Sequence, residues 1–396
     1  MDIKTIIKQH TGQYMDEVIR IRRHLHQYPE LSFNETETSE YIRGLLDQWN
    51  VPYSYPFVKN GILATIEGNG NGSKVIALRS DMDALPVNEE SGLEFASVNQ
   101  GVMHACGHDM HMASLLGAIM VLNGMKQYID GKVLCVFQPG EEMLPGGAKL
   151  MMEEGLFNDN KPDMVIAQHV LPEMEAGSVG FRPGNYMASG DEIFITVKGS
   201  GGHAALPENI NDPVLMASHI LITLQQEINR KSPKGTPTVL SFGKVTANGA
   251  VNVIPDEVKL EGTFRTMNES WRQTAHALIA QIATGIAASM GGKIELEIRH
   301  GYPVLVNDEG ITRKSRALAV EFLGEERVTD MDIRMTAEDF AWFSQSYPSM
   351  MYRIGVKSSA SNEIYPLHTG RFTADENSLQ TGVSMMAWLA INLLKS

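Results

Sequence analysis

The sequence predicts an α/β fold in which a mostly parallel sheet is flanked by helices and a smaller α+β domain is inserted. Three continuous apolar runs separated by stretches of helical spacing predict the sheet, and the middle of the chain has a different order of elements. The length of 396 residues also exceeds what a single core usually supports. We therefore expect one domain over 1–184 and 301–396, with the second inserted over 185–300.

Two helices are predicted at the beginning of the chain. Apolar side chains recur with helical spacing over residues 15–27 and 36–49, on either side of Pro29. Asn34, with Glu37 three positions later, is typical of a helix start.

The three apolar runs follow. They are Val75–Leu78, Val133–Phe137 and Met164–Ala167, and they are too continuous for strands with one solvated face. Helical stretches near 113–128 and 145–155 lie between them. This alternation indicates parallel strands in a sheet that is covered on both faces.

The inserted segment has the order β-α-β-β-α-β, which is that of ferredoxin-like folds. Its first helix is predicted to begin with Asp212 as N-cap and Pro213 at the first helical position. Gly184 and Gly301 lie near the two crossings between the domains. The predicted elements are strands over 191–198, 238–245, 258–266 and 293–299 and helices over 213–229 and 271–290.

Composition excludes several classes of partner. The formal net charge of −14 predicts repulsion from nucleic acid and from anionic membranes. The N-terminus lacks the apolar core of a signal peptide, and the run Met385–Leu394 has about half the length that a membrane span needs. We expect that run to be a packed C-terminal helix. Two cysteines, Cys106 and Cys135, do not make a disulfide framework, so a cytoplasmic location is expected.

Side chains typical of metal sites follow each apolar run. Asp81 and Asp83 come after the first run, Glu141 and Glu142 after the second, and His169 after the third. Functional groups of open α/β sheets gather beyond the carboxyl ends of the strands. The sequence therefore predicts a site at this edge of the sheet.

A Cys/His cluster lies between the first two runs. Cys106 and His108 are too close in sequence to share one face of a helix, but they can converge from a loop, and Gly107 between them permits unusual backbone angles. Thiolate and imidazole suit zinc, nickel, cobalt or ferrous iron better than magnesium or calcium. By itself, the pair is equally consistent with a buried cysteine beside a capping histidine.

The adjacent carboxylates Glu141 and Glu142 suggest a division of work. Since neighbouring side chains diverge, one can bind a metal while the other faces a water whose pKa the metal lowers to about 7. In isolation such a pair is usually a solvated turn, and His169 and His368 are each more often structural.

The inserted domain contains a second group of candidates. Three glycines before His203 suggest a close backbone approach or a mobile loop. Asn252 and Arg265 could hold a carboxylate, for which the two-pronged guanidinium is suited. From spacing alone these residues are ordinary.

Together, the motifs resemble the M20 metallopeptidases, in particular the amidohydrolase branch with N-acyl-amino-acid deacylases, hippurate hydrolases and auxin-conjugate hydrolases. The matching stretches span nearly the whole chain in the family's order. They are Arg22–His26 with Pro29-Glu30, Arg79–Pro86, Gly101–Asp109, Phe137–Glu142, Gln168-His169, Gly199–Pro207, Asn252–Pro255, Gly262–Arg265, Ala337–Phe340 and Leu367–Gly370.

The resemblance implies that two divalent metals (Zn, Mn, Ni or Co) are held in the catalytic domain by Cys106, His108, Glu142, His169 and His368. Cys106 would bridge the two ions.

The resemblance further implies that Glu141 is the general base and then the general acid, and that Asp83 orients a ligand. Asp81 stands where other branches have a histidine ligand, so we do not expect it to bind metal.

In the inserted domain, the resemblance implies that His203 polarises the scissile carbonyl, typically in the partner subunit. Asn252 and Arg265 would bind substrate. The inserted domain would serve as lid and as the interface of a homodimer.

The expected activity is hydrolysis of the amide bond of an N-acyl amino acid to a carboxylic acid and a free amino acid. A dipeptidase or aminopeptidase of the same family is one alternative. A hydrolase that uses Cys106 as nucleophile with a histidine is another. The third is a metal-free protein that binds without catalysis.

Overall fold

The computed structural model of the protein describes residues 2–358 and 363–395. Short 3-10 helices cover Lys126–Tyr128, Pro207–Asn209 and Glu325–Arg327. The α-helices are α1 (Ile3–Gln27), α2 (Thr36–Gln48), α3 (His108–Asn123), α4 (Gly147–Glu153), α5 (Pro213–Lys231), α6 (Glu269–Ser289), α7 (Glu309–Leu323), α8 (Ala341–Ser346) and α9 (Ser378–Leu394).

The strands alternate with these helices along the chain. They are β1 (Tyr53–Phe57), β2 (Gly61–Glu67), β3 (Val75–Asp81), β4 (Lys132–Gln138), β5 (Met164–Glu175), β6 (Val179–Phe181), β7 (Gly184–Met187), β8 (Ser189–Lys198), β9 (Gly202–His203), β10 (Thr238–Thr246), β11 (Val253–Ile254), β12 (Glu257–Thr266), β13 (Lys293–His300), β14 (Leu305–Asn307), β15 (Val328–Asp330) and β16 (Ser349–Lys357).

Contacts between residues divide the chain into two compact units. The first unit comprises the chain up to Gly184, Val306–Asp332, and the chain from Asp339 onward. The second unit comprises Asn185–Leu305 and Ile333–Glu338.

The first unit is built on an eight-stranded sheet in the order β1-β2-β4-β3-β5-β16-β6-β15. The four central strands β4, β3, β5 and β16 pair in parallel, as the continuous apolar runs predict. The edges add antiparallel pairs, β1 with β2 and β2 with β4. The fold class predicted for this part of the chain is confirmed.

Helices α1, α3 and α9 pack against one another beside this sheet. The C-terminal helix is confirmed, and it begins at Ser378, with Met385–Leu394 inside it. Helix α3 spans His108–Asn123 and is buried almost throughout, whereas the sequence predicted 113–128. A helix without a solvated face has no amphipathic pattern to mark its ends. Among the described residues, no helix is both long enough and apolar enough to cross a membrane.

The start of α2 differs from the prediction. Asn34 is not the N-cap: Glu35 occupies that position and makes no side-chain capping bond. The carboxylate of Glu30 instead accepts the N–H groups of Glu37 (3.3 Å) and Thr38 (2.8 Å). An acceptor from outside the helix thus satisfies amides that have no partner within it.

The second unit has a four-stranded antiparallel sheet in the order β10-β12-β8-β13, with α5 and α6 packed on it. This is the predicted ferredoxin-like arrangement. The alternation along β8 buries Ile193, Ile195 and Val197 in its core. Asp212 caps α5 as predicted, since its carboxylate accepts the N–H groups of Val214 (2.8 Å) and Leu215 (3.1 Å).

Candidate metal centre

The candidate site lies at the carboxyl edge of the central strands. Parallel pairing places Asp81, the last residue of β3, opposite Gln138, the last residue of β4. On the other side of β3, Arg79 lies opposite Ala167, two residues before His169 on β5. The polar residues that follow the apolar runs therefore reach the same edge of the sheet.

The turn Cys106-Gly107-His108 brings a thiol and an imidazole to this edge. Gly107 is the N-cap of α3 with φ +81°, and His108 is the first residue of the helix. A Cβ at Gly107 would lie 2.6 Å from a methyl carbon of Val170, so a larger residue would displace the turn. The sequence argument for a glycine between the two candidate ligands is borne out by this geometry.

His108 presents one ring nitrogen to the cluster. Its Nδ1 lies 2.8 Å from the backbone carbonyl oxygen of Asp83, which can only accept, so Nδ1 carries the proton. Nε2, which has a lone pair when the ring is neutral, has no hydrogen-bond partner among the described residues. Its neighbours are carboxylate oxygens of Asp81 at 3.6 Å and Glu141 at 4.0 Å. A buried lone pair of this kind fits a metal ligand.

His169 is oriented in the same manner. Its Nδ1 lies 2.9 Å from the carbonyl oxygen of Val170, and its Nε2 lies 3.6 Å from Sγ of Cys106. The ligand atoms of Cys106, His108 and His169 all lie within 4.8 Å of one another, and all three residues are buried.

A second group shares the same thiol. Ligand atoms of Cys106, Glu142 and His368 also lie within 4.8 Å of one another. Oε1 of Glu142 is 3.2 Å from Nε2 of His368. His368 has φ +63°, which is uncommon outside glycine, and its N–H donates to the carbonyl of Ala105 (2.9 Å). The structure thus brings all five candidate ligands together in two groups with Cys106 in common.

The donor set fits divalent metal ions. Burial, followed by the negative charges of Glu142 and Glu141, holds the pKa of the Cys106 thiol well above its usual range. A thiol in such surroundings is neutral unless a cation stabilises the thiolate. Thiolate, imidazole and carboxylate are ligands that suit borderline transition metals.

A third group, Asp81, His108 and His111, also has ligand atoms close together. Here His111 is fully hydrogen-bonded: its Nε2 accepts the N–H of Val170 (2.9 Å), so Nδ1 donates to Asp81 (2.7 Å). Arg79 donates to the same carboxylate at 2.7 Å. Asp81 and His111 therefore support the site through hydrogen bonds. Neither ring nitrogen of His111 is available as a metal ligand. The sequence argument gave His111 no role, although its position three residues after His108 on α3 places both on one face.

Glu141 is buried next to these ligands and is 6 % exposed. The N–H of Asp339 donates to its Oε1 at 3.4 Å. The Asp339 carboxylate accepts in turn from Arg79 (2.7 Å) and from Gln138 (2.7 and 2.9 Å). The backbone that faces Glu141 is thereby fixed by a buried ionic network that the sequence argument did not find.

Asp83 contacts two of the candidate ligands. Besides its carbonyl contact with His108, its Oδ2 accepts the N–H of Glu142 at 2.8 Å. Its Oδ2 also accepts the hydroxyl of Ser32 at 2.6 Å.

The motif Arg22–His26 supplies partners for Asp109, which follows His108. Nε of Arg22 donates to Oδ2 of Asp109 (2.8 Å), and Nδ1 of His26 lies 2.9 Å from the same oxygen. The other nitrogen of His26 is 3.1 Å from Glu89. These contacts anchor the start of α3, so this motif supports the position of His108.

A comparison of the sequence with protein families matches the model of "Peptidase family M20/M25/M40" over residues 77–392. The chain belongs to this family. N-acetylcysteine deacetylase of Bacillus subtilis (strain 168) is 36% identical over 96% of this chain and 97% of its own length. N-acetyl-L-cysteine deacetylase of the same organism is 36% identical over 92% of this chain and 85% of its own length.

Solved structures of M20 proteins show the same fold. The crystal structure of Bacillus subtilis YxeP, described as a dinuclear metal binding peptidase from the M20 family, superposes with a TM-score of 0.82 at 33% identity. The superposition covers 97% of this chain and 99% of the YxeP chain. The resemblance inferred from the sequence motifs is confirmed, and the protein is an M20 hydrolase.

The remaining candidates of this M20 hydrolase lie in its second unit. His203 is exposed on β9, opposite Val253 of β11, and its Nδ1 accepts the N–H of Ala205 at 3.1 Å. The carbonyl of Asn252 accepts the N–H of Ala204 at 3.1 Å, so Asn252 is close to His203. Arg265 lies on β12, and burial lowers its pKa.

Proposed function

We propose that the protein hydrolyses the amide bond of N-acyl amino acids and releases a carboxylic acid and a free amino acid. The observation that carries the proposal is the pair of ligand groups that share Cys106, with Glu141 buried beside them. The deacetylases that are similar over nearly the whole chain support this substrate class. The activity is expected in a cytoplasmic protein, where the Cys106 thiol stays reduced.

The proposed cofactor is two divalent ions per subunit, drawn from Zn, Mn, Ni and Co. Cys106, His108 and His169 would hold one ion, and Cys106, Glu142 and His368 would hold the other. The dinuclear site named for YxeP supports this stoichiometry. When bound, the ions supply a polarised amide carbonyl and a water of lowered pKa.

Glu141 is the proposed acid and base. Its carboxylate takes a proton from the attacking water and passes it to the leaving nitrogen, which then departs as the amine. Its neighbour Glu142 lies 3.2 Å from His368, which supports a separate task for this adjacent carboxylate. Asp83 holds both Glu142, through its N–H, and His108, through a carbonyl oxygen.

The second unit is proposed to serve as the lid. His203 would donate a hydrogen bond to the developing oxyanion, which can be worth about 3 kcal/mol. Asn252 and Arg265 would hold the substrate carboxylate, since a guanidinium binds a carboxylate through two parallel hydrogen bonds. The side chain of His203 is exposed and thus accessible for such a contact.

A homodimer through this lid domain, predicted over 185–300, is part of the proposal. Large apolar side chains are exposed on the second unit, among them Ile222 (58 %), Val245 (54 %) and Leu215 (50 %). Contiguous exposed apolar surface marks interaction sites, and these side chains are the proposed dimer contacts. Light scattering coupled to size exclusion tests it: a mass near twice 43.6 kDa supports the dimer, and a monomer contradicts it.

The substrate test is a panel of acetyl, benzoyl and indoleacetyl amino acids beside free dipeptides, assayed after reconstitution with each of the four metals. Turnover of acyl amino acids supports the proposal. Turnover of dipeptides alone would assign the protein to the peptidase alternative instead. A small change of acyl group alters specificity by about 1–3 kcal/mol, so the panel spans large differences in size.

Catalysis by Cys106 as a nucleophile is disfavoured by its surroundings. Burial raises the pKa of its thiol, whereas a cysteine nucleophile needs a lowered pKa. Activity that survives a chelator and is lost on thiol alkylation would contradict the metal proposal.

A further inference from the structure

Glu35 is a buried carboxylate that the mechanism above leaves without a role. It is 0 % exposed. Its Oε1 accepts the N–H groups of Phe33 (2.9 Å) and Gly140 (2.8 Å), and its Oε2 accepts from Nδ2 of Asn60 (3.1 Å). Burial, followed by the charge of Asp83, raises the pKa of Glu35 to about 7. Keeping a carboxylate at such a position costs stability, so a role for it is expected.

The backbone of Gly140 also lies unusually close to the ring of Phe33. Gly140 has φ +64°, and a Cβ built there would lie 2.4 Å from two carbons of the Phe33 ring. The segment before α2 and the loop before Glu141 therefore approach so closely that only glycine fits. Gly140 directly precedes Glu141, so a shift of this amide moves the proposed base.

Glu142, the residue on the other side of Glu141, is also held through its backbone N–H. The N–H of Glu142 donates to Oδ2 of Asp83 at 2.8 Å, and this oxygen also accepts the hydroxyl of Ser32 at 2.6 Å. The short segment from Ser32 to Glu35 thus contacts the loop both directly and through Asp83. The backbone N–H groups of both residues that flank Glu141, Gly140 and Glu142, donate to buried carboxylates.

We propose that Glu35 is a positioning residue for Glu141: its carboxylate holds the Gly140 amide and so fixes the backbone from which Glu141 projects. This proposal rests on the proposed role of Glu141 as the base. The positioning itself can be measured without any substrate.

The expected kinetic effect follows from geometry. A misplacement of about 1 Å by a residue far from the chemistry can cost about 100-fold in rate. Glu35→Ala is expected to lower kcat by about 10- to 100-fold with KM nearly unchanged, because the base acts on the transition state. Glu35→Gln keeps an oxygen acceptor for the Gly140 amide, so it is expected to retain kcat within about threefold of wild type.

The substrate-independent test is hydrogen exchange at the Gly140 amide in the metal-reconstituted protein. Loss of the Glu35 oxygen acceptor is expected to speed exchange of this amide by about tenfold in Glu35→Ala, and Glu35→Gln restores protection. Glu40→Ala is the matched control, since Glu40 is an exposed glutamate on α2. It is expected to match wild type in exchange, kcat and metal content.

The outcomes separate the proposals. Unchanged Gly140 exchange in a folded Glu35→Ala protein with full metal content overturns positioning, as does loss of metal in proportion to activity. If wild type cleaves no amide in the panel, the proposed function fails, while exchange still decides the role of Glu35. Should Glu35→Ala not fold, Asn60→Ala removes only the donor to Oε2. It is expected to give a smaller change in the same direction, and wild-type exchange and kcat in that variant would overturn the proposal.

Discussion

Two buried ionic clusters, one in each unit, differ in whether the protein satisfies them by itself. In the second unit, Asp191 accepts from Nε (2.9 Å) and Nη2 (2.5 Å) of Arg272, from His276 (2.9 Å) and from the N–H of Gly301 (3.1 Å). The charge of the carboxylate is compensated, and each of its oxygens has donors. This cluster needs nothing more, and its function is structural.

In the cluster of the first unit, by contrast, some buried polar atoms lack a hydrogen-bond partner. Nε2 of His108 and Oδ1 of Asp83 have no hydrogen-bond partner among the described residues. Native proteins rarely leave buried polar atoms in this condition. The unpaired atoms of the first cluster are ones that a bound cation would satisfy or orient, whereas the paired atoms of the Asp191 cluster fit a structural role.

The largest expected effect distinguishes the proposed base, Glu141, from the proposed metal ligand, Glu142. Glu141→Gln is expected to lower kcat by about 100- to 10,000-fold, the range for loss of a general acid–base group. Metal content, measured by elemental analysis, is expected to stay at the wild-type value. Glu142→Gln is the matched comparison and is expected to lose metal as well as activity. Loss of metal in Glu141→Gln would contradict the division of roles.

Metal removal tests the incomplete cluster next. A metal that binds only the folded state stabilises it by about 3–4 kcal/mol at 100 to 1,000 times its Kd. Chelation of wild type is therefore expected to lower the free energy of unfolding by about that amount. Cys106→Ala removes the ligand that both groups share, so its stability is expected to respond little to chelator. Equal responses of the two proteins in denaturant titrations would argue against the bridging thiol.

Removal of charge at Asp191 tests the satisfied cluster. Burial opposes its charge, but hydrogen bonds from Arg272 and His276 outweigh burial and lower its pKa to about 2. A depressed carboxyl pKa stabilises the fold above the unfolded value of 3.8, and this stability is lost as pH falls from 3.8 toward 2. Asp191→Asn is expected to cost about 2 kcal/mol at pH 7.

The measurement is the difference in unfolding free energy between wild type and Asp191→Asn across this pH range. It is expected to shrink as pH falls below 4, with no effect of chelator on the difference. A difference that is constant with pH would show that the Asp191 carboxylate is not the group responsible.

The strands, and the grouping of the candidate ligands at their carboxyl ends, could be predicted from the sequence better than the residues that support them. Cys106 and His108 flank a glycine between two predicted strands, and together with the carboxylates and the histidine that follow the apolar runs they indicate a metal site. Glu35, in contrast, stands in a polar stretch that is typical of a solvated turn, and only contacts with Asn60 and Gly140 show that it is buried. Long-range contacts of this kind leave no periodic signal in one sequence.

Helix ends were predicted less well for a related reason. Helix α1 begins at Ile3, whereas apolar spacing predicted a start at residue 15. Gly12 and β-branched residues lower the helix propensity of the early part. Packing of Ile7 and Thr11 in the core stabilises it nonetheless.

The smallest expected effect concerns His111. It lies in the cluster of the first unit, but its polar atoms are all hydrogen-bonded, like those of the Asp191 carboxylate in the second unit. Both of its ring nitrogens are hydrogen-bonded, to Asp81 and to the N–H of Val170. His111→Asn can keep a donor toward Asp81 while leaving the Val170 amide unpaired, so it is expected to cost about 1 kcal/mol of stability. Metal content by elemental analysis is expected to equal that of wild type. Loss of one metal equivalent would mean that His111 gives up the Val170 amide to bind an ion, and paired ring nitrogens would then not suffice to assign a histidine to a structural role.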